Sequence, residues 1–217
     1  MLTKRGPDYE AKRAALRQAA ARMLADSPSE NPSWPAVAAQ VGMSPGAIAY
    51  YYGNAGNLLW SVVSEHLLLL LARLEAEAPD KLEPRARIAV LARTYCSVME
   101  EHQAEHLTVL AHHRRLPPGR SGDARLMQRW VLQLFEDAFV AALPKAEAAR
   151  AMPLALSLLS MLNGHAYWFR AGKGLDRTEF ADMAARMVLS QVPPSRTKRR
   201  RLAPVAGSSC DQLRAAA

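Results

Sequence analysis

The chain of 217 residues contains two cysteines, Cys96 and Cys210, set far apart. That usage fits reduced thiols and excludes a disulfide-stapled scaffold. Aromatic residues make up only 6% of the chain, and β-branched runs are scarce beside abundant alanine and leucine. Helix is the structure such a composition favours. Long apolar runs are lacking as well. The longest, Leu67 to Leu71, is bounded by Glu65, His66 and Arg73 and reads as one buried stripe of a helix. Met1 to Arg5 lack the apolar stretch of a signal peptide, so a cytoplasmic protein without a membrane partner is expected. HExxH, CxxC, a phosphate-binding loop and GxGxxG are all missing. No spacing of Ser, His and Asp singles out a nucleophile. The expectation is a protein that is not an enzyme, with no catalytic residue, no cofactor and no metal.

Charge is present but uneven. The formal net charge is +8. Residues 193–217 carry six Lys/Arg against one acidic residue, so most of the excess belongs to a basic tail expected to be disordered. Its run Lys198-Arg199-Arg200-Arg201 is either a source of nonspecific DNA attraction or simply a solvated end.

Helical spacing organises the rest. Pro7-Asp8 opens a first helix with Asp8 as N-cap, and the proline-containing stretch 26–32 closes it. Ser33 caps a short second helix to about Val41. Gly42-Met43-Ser44 is a tight turn, and Ser44 caps a third helix from Pro45 to about Tyr51. Longer helices are expected over 56–76, 85–101, 103–113, 123–143, a segment from Pro144 interrupted at Pro153 and running to Arg170, and 177–191. The stretch from Leu116 to Gly122 is the clearest loop. The fold class is therefore all-α, with about nine helices. A head over residues 1–55 precedes a body over 56–192 and the tail over 193–217.

The informative stretch is Ser33 to Leu59, SWPAVAAQVGMSPGAIAYYYGNAGNLL. Two short capped helices meet at a glycine turn, and Val37, Ala38, Val41, Ile48 and Tyr52 are spaced to face inward. This is a helix-turn-helix pattern. Pro45, Gly46, Ala47, Tyr50 and Tyr51 are expected outward. Small residues let the helix approach a duplex, while tyrosines offer hydroxyls to phosphate and ring faces to thymine methyls. With Ser33, Ser44 and Lys12 they form the candidate DNA-binding set.

This stretch resembles the signature of the tetracycline-repressor (TetR) family of bacterial regulators: an Ile-Ala pair, Ala-Gly-Val-Ser, Gly-Thr-Leu-Tyr-Tyr-His-Phe and Ser-Lys-Glu-x-Leu. Here the matching residues are Val37-Ala38, Val41-Gly42-Met43-Ser44, Pro45 to Asn54, and Leu58-Leu59. Ala55 and Gly56 stand where the family has Lys and Glu, Ala47 where it has Thr, and Ala49 where it has Tyr. The resemblance implies that the missing lysine removes a phosphate contact and weakens the cap of the fourth helix, with Lys4, Arg5, Lys12 and Arg13 left to offset it. It also implies a DNA-binding transcriptional repressor, nucleoid-associated, that leaves double-stranded operator DNA when a small effector binds.

The same resemblance implies a homodimer formed by the last two long helices, through Leu158, Leu162, Trp168, Phe180, Met183 and Met187. An effector pocket inside the body would draw on Met99, His102, His106, Met127, Trp130, Met161 and His165, with Leu110 and Leu134 in its wall. The segment Asn163 to Leu175 is similar to a stretch of TetR-type regulators of fatty-acid, steroid and aromatic catabolism. Some of those sense acyl-CoA thioesters, which points to an acyl-CoA or an apolar carboxylic acid, with Arg93, Arg114, Arg115 or Arg170 meeting its anionic groups. Two other readings stay open on the residues. One is a helical adaptor. The other is a metal-binding enzyme using His102 and His106, which lie four apart on one helix face beside Glu101 and Glu105.

Overall fold

A computed structural model describes residues 6–26, 33–169 and 172–193. These form nine α-helices: α1 (Pro7–Asp26), α2 (Trp34–Gln40), α3 (Ala47–Tyr52), α4 (Ala55–Glu77), α5 (Pro84–Glu101), α6 (Gln103–His112), α7 (Arg120–Ala142), α8 (Ala151–Trp168) and α9 (Arg177–Leu189). Short 3-10 segments, His113–Arg115 and Lys145–Arg150, precede α7 and α8. The basic tail, Cys210, Arg170, Lys4 and Arg5 lie outside the described residues.

Several boundaries differ from the sequence expectation, each for a local reason. Asp8 lies inside the first turn of α1 and pairs with Lys12 at 2.8 Å instead of capping the helix. α3 begins at Ala47, two residues later than expected. Ser44 contributes its backbone carbonyl to the amide of Ala47, not a side-chain cap. Ser33 likewise makes no side-chain cap for α2. Residues 120–122 form the first turn of α7 and are not loop, because Gly119 already turns the chain into the helix. Pro153 does not interrupt α8. It occupies the first turn, where its missing N–H has no partner to lose. The start of α4 is not weakly capped either: Asn54 accepts the Asn57 amide at 2.8 Å, and the Asn57 side chain returns to the Tyr52 carbonyl at 2.9 Å.

Three apolar clusters organise the packing. The head cluster joins Leu16, Ala19, Ala20, Val37, Ala38, Ala47, Ile48 and Tyr52 to Leu58 and Val62 of α4. The body cluster is built from α4, α5, α7, α8 and α9, with Phe135, Phe139, Ile88, Leu91 and Leu158 fully buried. Between them lies a smaller joint of Leu24, Leu59, Val63, Leu67, Val109, Leu116 and Ala124. α4 enters all three. By length and composition alone it would suffice to cross a bilayer, which the search for apolar runs did not anticipate. In the fold most of its apolar surface is taken up by α1, α5, α6 and α7, while Leu68 and Leu69 stay exposed.

Gly56 has a packing reason of its own. A Cβ there would stand 2.7 Å from Cγ of Pro117, in the turn between α6 and α7. The proline ring cannot swing aside as a long side chain would. Glycine in a helix interior usually costs about 1 kcal/mol against alanine, an upper bound for this first-turn position. Here the overlap reverses that preference, so Gly56→Ala is expected to lower stability by about 1–3 kcal/mol. The double variant Gly56→Ala/Pro117→Ala should recover most of the loss. Urea unfolding of the four proteins of this cycle checks the coupling.

Candidate nucleic-acid interface and effector cavity

The head presents one short helix outward. The backbone turn between α2 and α3 runs through Gly42 at φ 67°, a conformation that strains residues with a Cβ. Beyond it, Ala47, Ile48 and Tyr52 seat α3 against α1, α2 and α4. Ala47 was expected to face outward. The later helix start rotates it into the core, and Ala49 takes the exposed position. Tyr50 is 71% exposed, and Ser33, Ser44, Pro45, Gly46 and Lys12 are exposed beside it or on α1.

The three consecutive tyrosines have three different settings. Tyr52 is buried, and its hydroxyl donates to the Arg13 carbonyl at 2.6 Å. Tyr51 is half-buried between Tyr9 and Tyr50, with ring centroids at 4.9 and 4.8 Å. Its ring therefore braces Tyr50 on α1 instead of standing free. Tyr50 alone of the three is open to a ligand over most of its surface.

The body contains a cavity of about 120 Å³ bounded by α4, α5, α6, α7 and α8. Its walls include His66, Tyr95, His106, Leu110, Gln128 and Asn163. An outer cleft of about 420 Å³ shares Gln128, Leu159 and Asn163 with it. Helical spacing explains the cleft. Arg125, Gln128, Arg129 and Leu132 occupy one face of α7, and Leu156, Leu159, Ser160 and Asn163 one face of α8. Two arginines thus line the outer cleft, and the inner cavity mixes polar and apolar side chains.

A polar chain crosses the cavity wall. The Tyr95 hydroxyl donates to Asn163 Oδ1 at 2.6 Å, His106 Nε2 lies 3.2 Å from the same oxygen, and His106 Nδ1 lies 3.0 Å from His66 Nε2. Burial holds both rings neutral. It lowers His66 to about 3, aided by repulsion from His106 and His102, and His106 to about 4 against the opposing bond from Asn163.

The expected pocket residues scatter more widely. His106 and Leu110 line the cavity. Met99 is fully buried in the body core, where Met127, Leu134 and Met161 also pack. Trp130 lies on an outer face of α7 at 47% exposure. His102 is half-buried, with its ring centroid 6.3 Å from that of His66. His165 belongs to a separate aromatic cluster and stacks on Phe180 at 4.1 Å. Among the described residues, no three His, Cys, Asp or Glu side chains are grouped to hold a metal ion. Of the arginines proposed for anionic groups, Arg93 pairs with Asp182, and Arg115 approaches His112 Nδ1 at 3.2 Å. Arg114 lies in a further surface cleft with Arg125. His66, Tyr95 and Gln128 were missed, and Asn163 entered only as the start of a stretch resembling other regulators. A polar His66 within a leucine-rich helix was the one available signal.

The expected dimer residues divide in the same way. Leu158, Leu162 and Phe180 point into the core, and Met183 packs partly against it. Trp168 and Met187 are 59% and 57% exposed, and Met152 and Leu156 add exposed apolar surface on α8.

The neutral histidines couple stability to pH. Their folded values lie below the ordinary 6.5, so above pH 6.5 neither state binds the proton and nothing is lost. As pH falls from 6.5 toward 4, the unfolded chain gains protons that the folded one refuses. Each histidine then costs about 1.4 kcal/mol per pH unit. Urea midpoints should be flat from pH 8 to 7 and fall steadily from pH 6.5 to 4.5, with a shallower fall in His66→Phe.

Residues 81–192 match the family model described as the tetracyclin repressor-like C-terminal domain. No curated protein matches the sequence. Solved structures share the fold at low identity. A TetR-family regulator from Bordetella parapertussis 12822 aligns with a TM-score of 0.75 at 20% identity, over 82% of this chain and 93% of that one. AibR in complex with isovaleryl coenzyme A and operator DNA aligns at 0.71 and 20%, over 84% and 99%. The ketosteroid transcriptional regulator KstR2 of Mycobacterium tuberculosis aligns at 0.72 and 16%, over 84% and 95%. With the family match spanning more than half of the chain and the helix-turn-helix head preceding it, the protein belongs to the TetR family of transcriptional regulators.

Proposed function

We propose that this regulator acts as a homodimeric repressor that leaves its operator when a small molecule occupies the body cavity. The observation that carries the DNA-binding part is Tyr50, 71% exposed on a helix whose inner face is fixed by Ala47, Ile48 and Tyr52. In this reading the recognition surface is Ser33, Ser44, Pro45, Gly46, Ala49 and Tyr50, with Tyr51 as brace. Residues 1–55 carry the DNA contacts and residues 56–192 the effector and dimer surfaces. Lys12 is already paired with Asp8, so its share of phosphate attraction is small.

The dimer reading rests on the exposed apolar side chains Met152, Leu156, Trp168 and Met187 of α8 and α9. A second copy is the natural cover, because two heads related by a two-fold axis match a near-palindromic site. The effector reading rests on the cavity and its arginine-flanked cleft. AibR, which shares the fold, was solved with isovaleryl coenzyme A and operator DNA. By that likeness, an acyl thioester whose phosphates meet Arg125 and Arg129 is one ligand class for this chain. No catalytic step is proposed for the site, and a cytoplasmic location on the nucleoid follows from the function.

The test is fluorescence anisotropy with DNA from upstream of the chain's own gene. Tyr50→Ala is expected to weaken binding roughly tenfold to hundredfold with an unchanged salt slope, since it removes base-edge contacts and no charge. Leu156→Asp/Met187→Asp should convert a dimer into a monomer by light scattering, and weaken operator binding with it. A wild-type protein indifferent to that DNA across salt concentrations would defeat the proposal.

A further inference from the structure

The polar chain in the cavity wall has a direction, and the direction selects a ligand. Asn163 Oδ1 can only accept, so the Tyr95 hydroxyl and His106 Nε2–H must both donate to it. A neutral imidazole carries one proton. With that proton on Nε2, His106 Nδ1 is an acceptor, and His66 Nε2–H must donate across the 3.0 Å contact. His66 Nδ1 is therefore left as a bare lone pair. It is buried, on a residue itself 96% buried, and it has no hydrogen-bond partner among the described residues. The Tyr95 hydroxyl and the other ring nitrogens of the chain are satisfied, so the deficit among the rings falls on one acceptor of a residue that walls the cavity, an acceptor covered by its neighbours that a ligand reaches only when α4 and its cover shift apart.

We propose that the cavity takes a neutral, ring-sized molecule bearing a hydroxyl or N–H group, which donates a hydrogen bond to His66 Nδ1. The inference rests on reading this cavity as the effector site. It keeps the site but departs from the acyl thioester, whose hydrocarbon end brings no donor, and from an acidic head group at the inner end. A carboxylate brings acceptors only, and facing a lone pair it would be repelled and desolvated without compensation. A hydrocarbon would fill the space but leave the acceptor unpaired. Among the described residues, the side-chain amide nitrogen of Asn163 and the carboxamide of Gln128 make no hydrogen bond. They stand ready to donate to the oxygen of the same hydroxyl or to a second polar atom. The cavity of about 120 Å³ is somewhat under the void of roughly 150 Å³ that accommodates a benzene ring, and the outer cleft that shares Gln128, Leu159 and Asn163 with it adjoins it. The neutrality of both histidines down to mildly acidic pH keeps the wall in this state under ordinary conditions.

Phenol, toluene and benzoate separate the requirements, because they share a ring and differ in donor and charge. Binding is followed by calorimetry on the full-length protein, with histidine resonances as a site marker. Phenol is expected to bind roughly ten to a hundred times more tightly than toluene or benzoate. In His66→Phe that preference should fall to about threefold or less. Long-range proton–nitrogen NMR on the unliganded wild type should show His66 protonated at Nε2 and bare at Nδ1, a readout that needs no variant to fold. Toluene or benzoate binding as well as phenol, or a His66 proton found on Nδ1, would overturn the donor requirement while leaving the cavity a ligand site. If no probe shifts the His66 and His106 resonances at saturation, the effector-site reading falls, and this inference with it.

Discussion

The structure depends on how α1 is fastened to α6. A helix ends with carbonyl groups that have no partner in the helix itself, and burying them unpaired is costly. α1 ends beneath the body, and there His112 Nε2 lies 3.0 Å from the Leu24 carbonyl. One turn earlier along α6, the Thr108 hydroxyl is placed 3.3 Å from the Ala21 carbonyl and 2.8 Å from its own Ala104 carbonyl. Leu24, Val109, Leu59 and Leu116 close apolar surface around these bonds. The head is thus docked through a satisfied helix end and not through apolar area alone. Burial lowers the pKa of His112, so its ring stays neutral and the joint carries no uncompensated charge.

That joint explains why the chain does not divide cleanly at residue 55. Leu58 and Val62 of α4 complete the head cluster, Leu59 and Val63 face the joint, and Leu70 and Leu74 belong to the body. Arg17 of α1 pairs with Glu65 of α4 on the same side. A sequence boundary drawn at the end of the helix-turn-helix motif marks where the motif ends. It does not mark where cooperative packing ends, because one continuous helix serves both cores.

How much was legible follows from range. Val37, Ala38, Ile48 and Tyr52 could be placed inward from spacing, because helical periodicity is local and their neighbours are a few residues away. Ala47 could not. A two-residue error in the start of a six-residue helix was enough, since its burial turns on where the turn after Gly42 hands over to helix. In the body, apolar stripes on α8 and α9 were visible, yet Leu158 and Leu162 face the core while Met152 and Leu156 face out. α8 is apolar nearly all round, so periodicity alone does not say which side meets α5 and α7. The cavity was less legible still. His66, Tyr95, His106 and Asn163 come from four helices and are brought together only by the fold. The Asn163 stretch was singled out as a resemblance, but its pairing with Tyr95 across 68 positions has no sequence signature.

The placement of His66 connects the two proposed functions. It lies ten residues beyond Gly56 on α4, about 15 Å along a helix. Near Gly56, α4 is confined by Pro117 and capped by Asn54, the residue that follows α3 and its Gly53 terminus. A ligand that bonds to His66 therefore acts on the same rigid element that positions Tyr50. To move the head, that ligand must favour one setting of α4 over another, and only differential contact can supply the bias. An unpaired acceptor on α4 itself is such a contact. Its pairing with a ligand depends on where the helix sits, whereas apolar wall residues such as Leu67 and Leu70 tolerate small shifts with little change in energy. In the proposed function, regulation through this cavity would thus turn on one directional bond more than on the amount of surface filled.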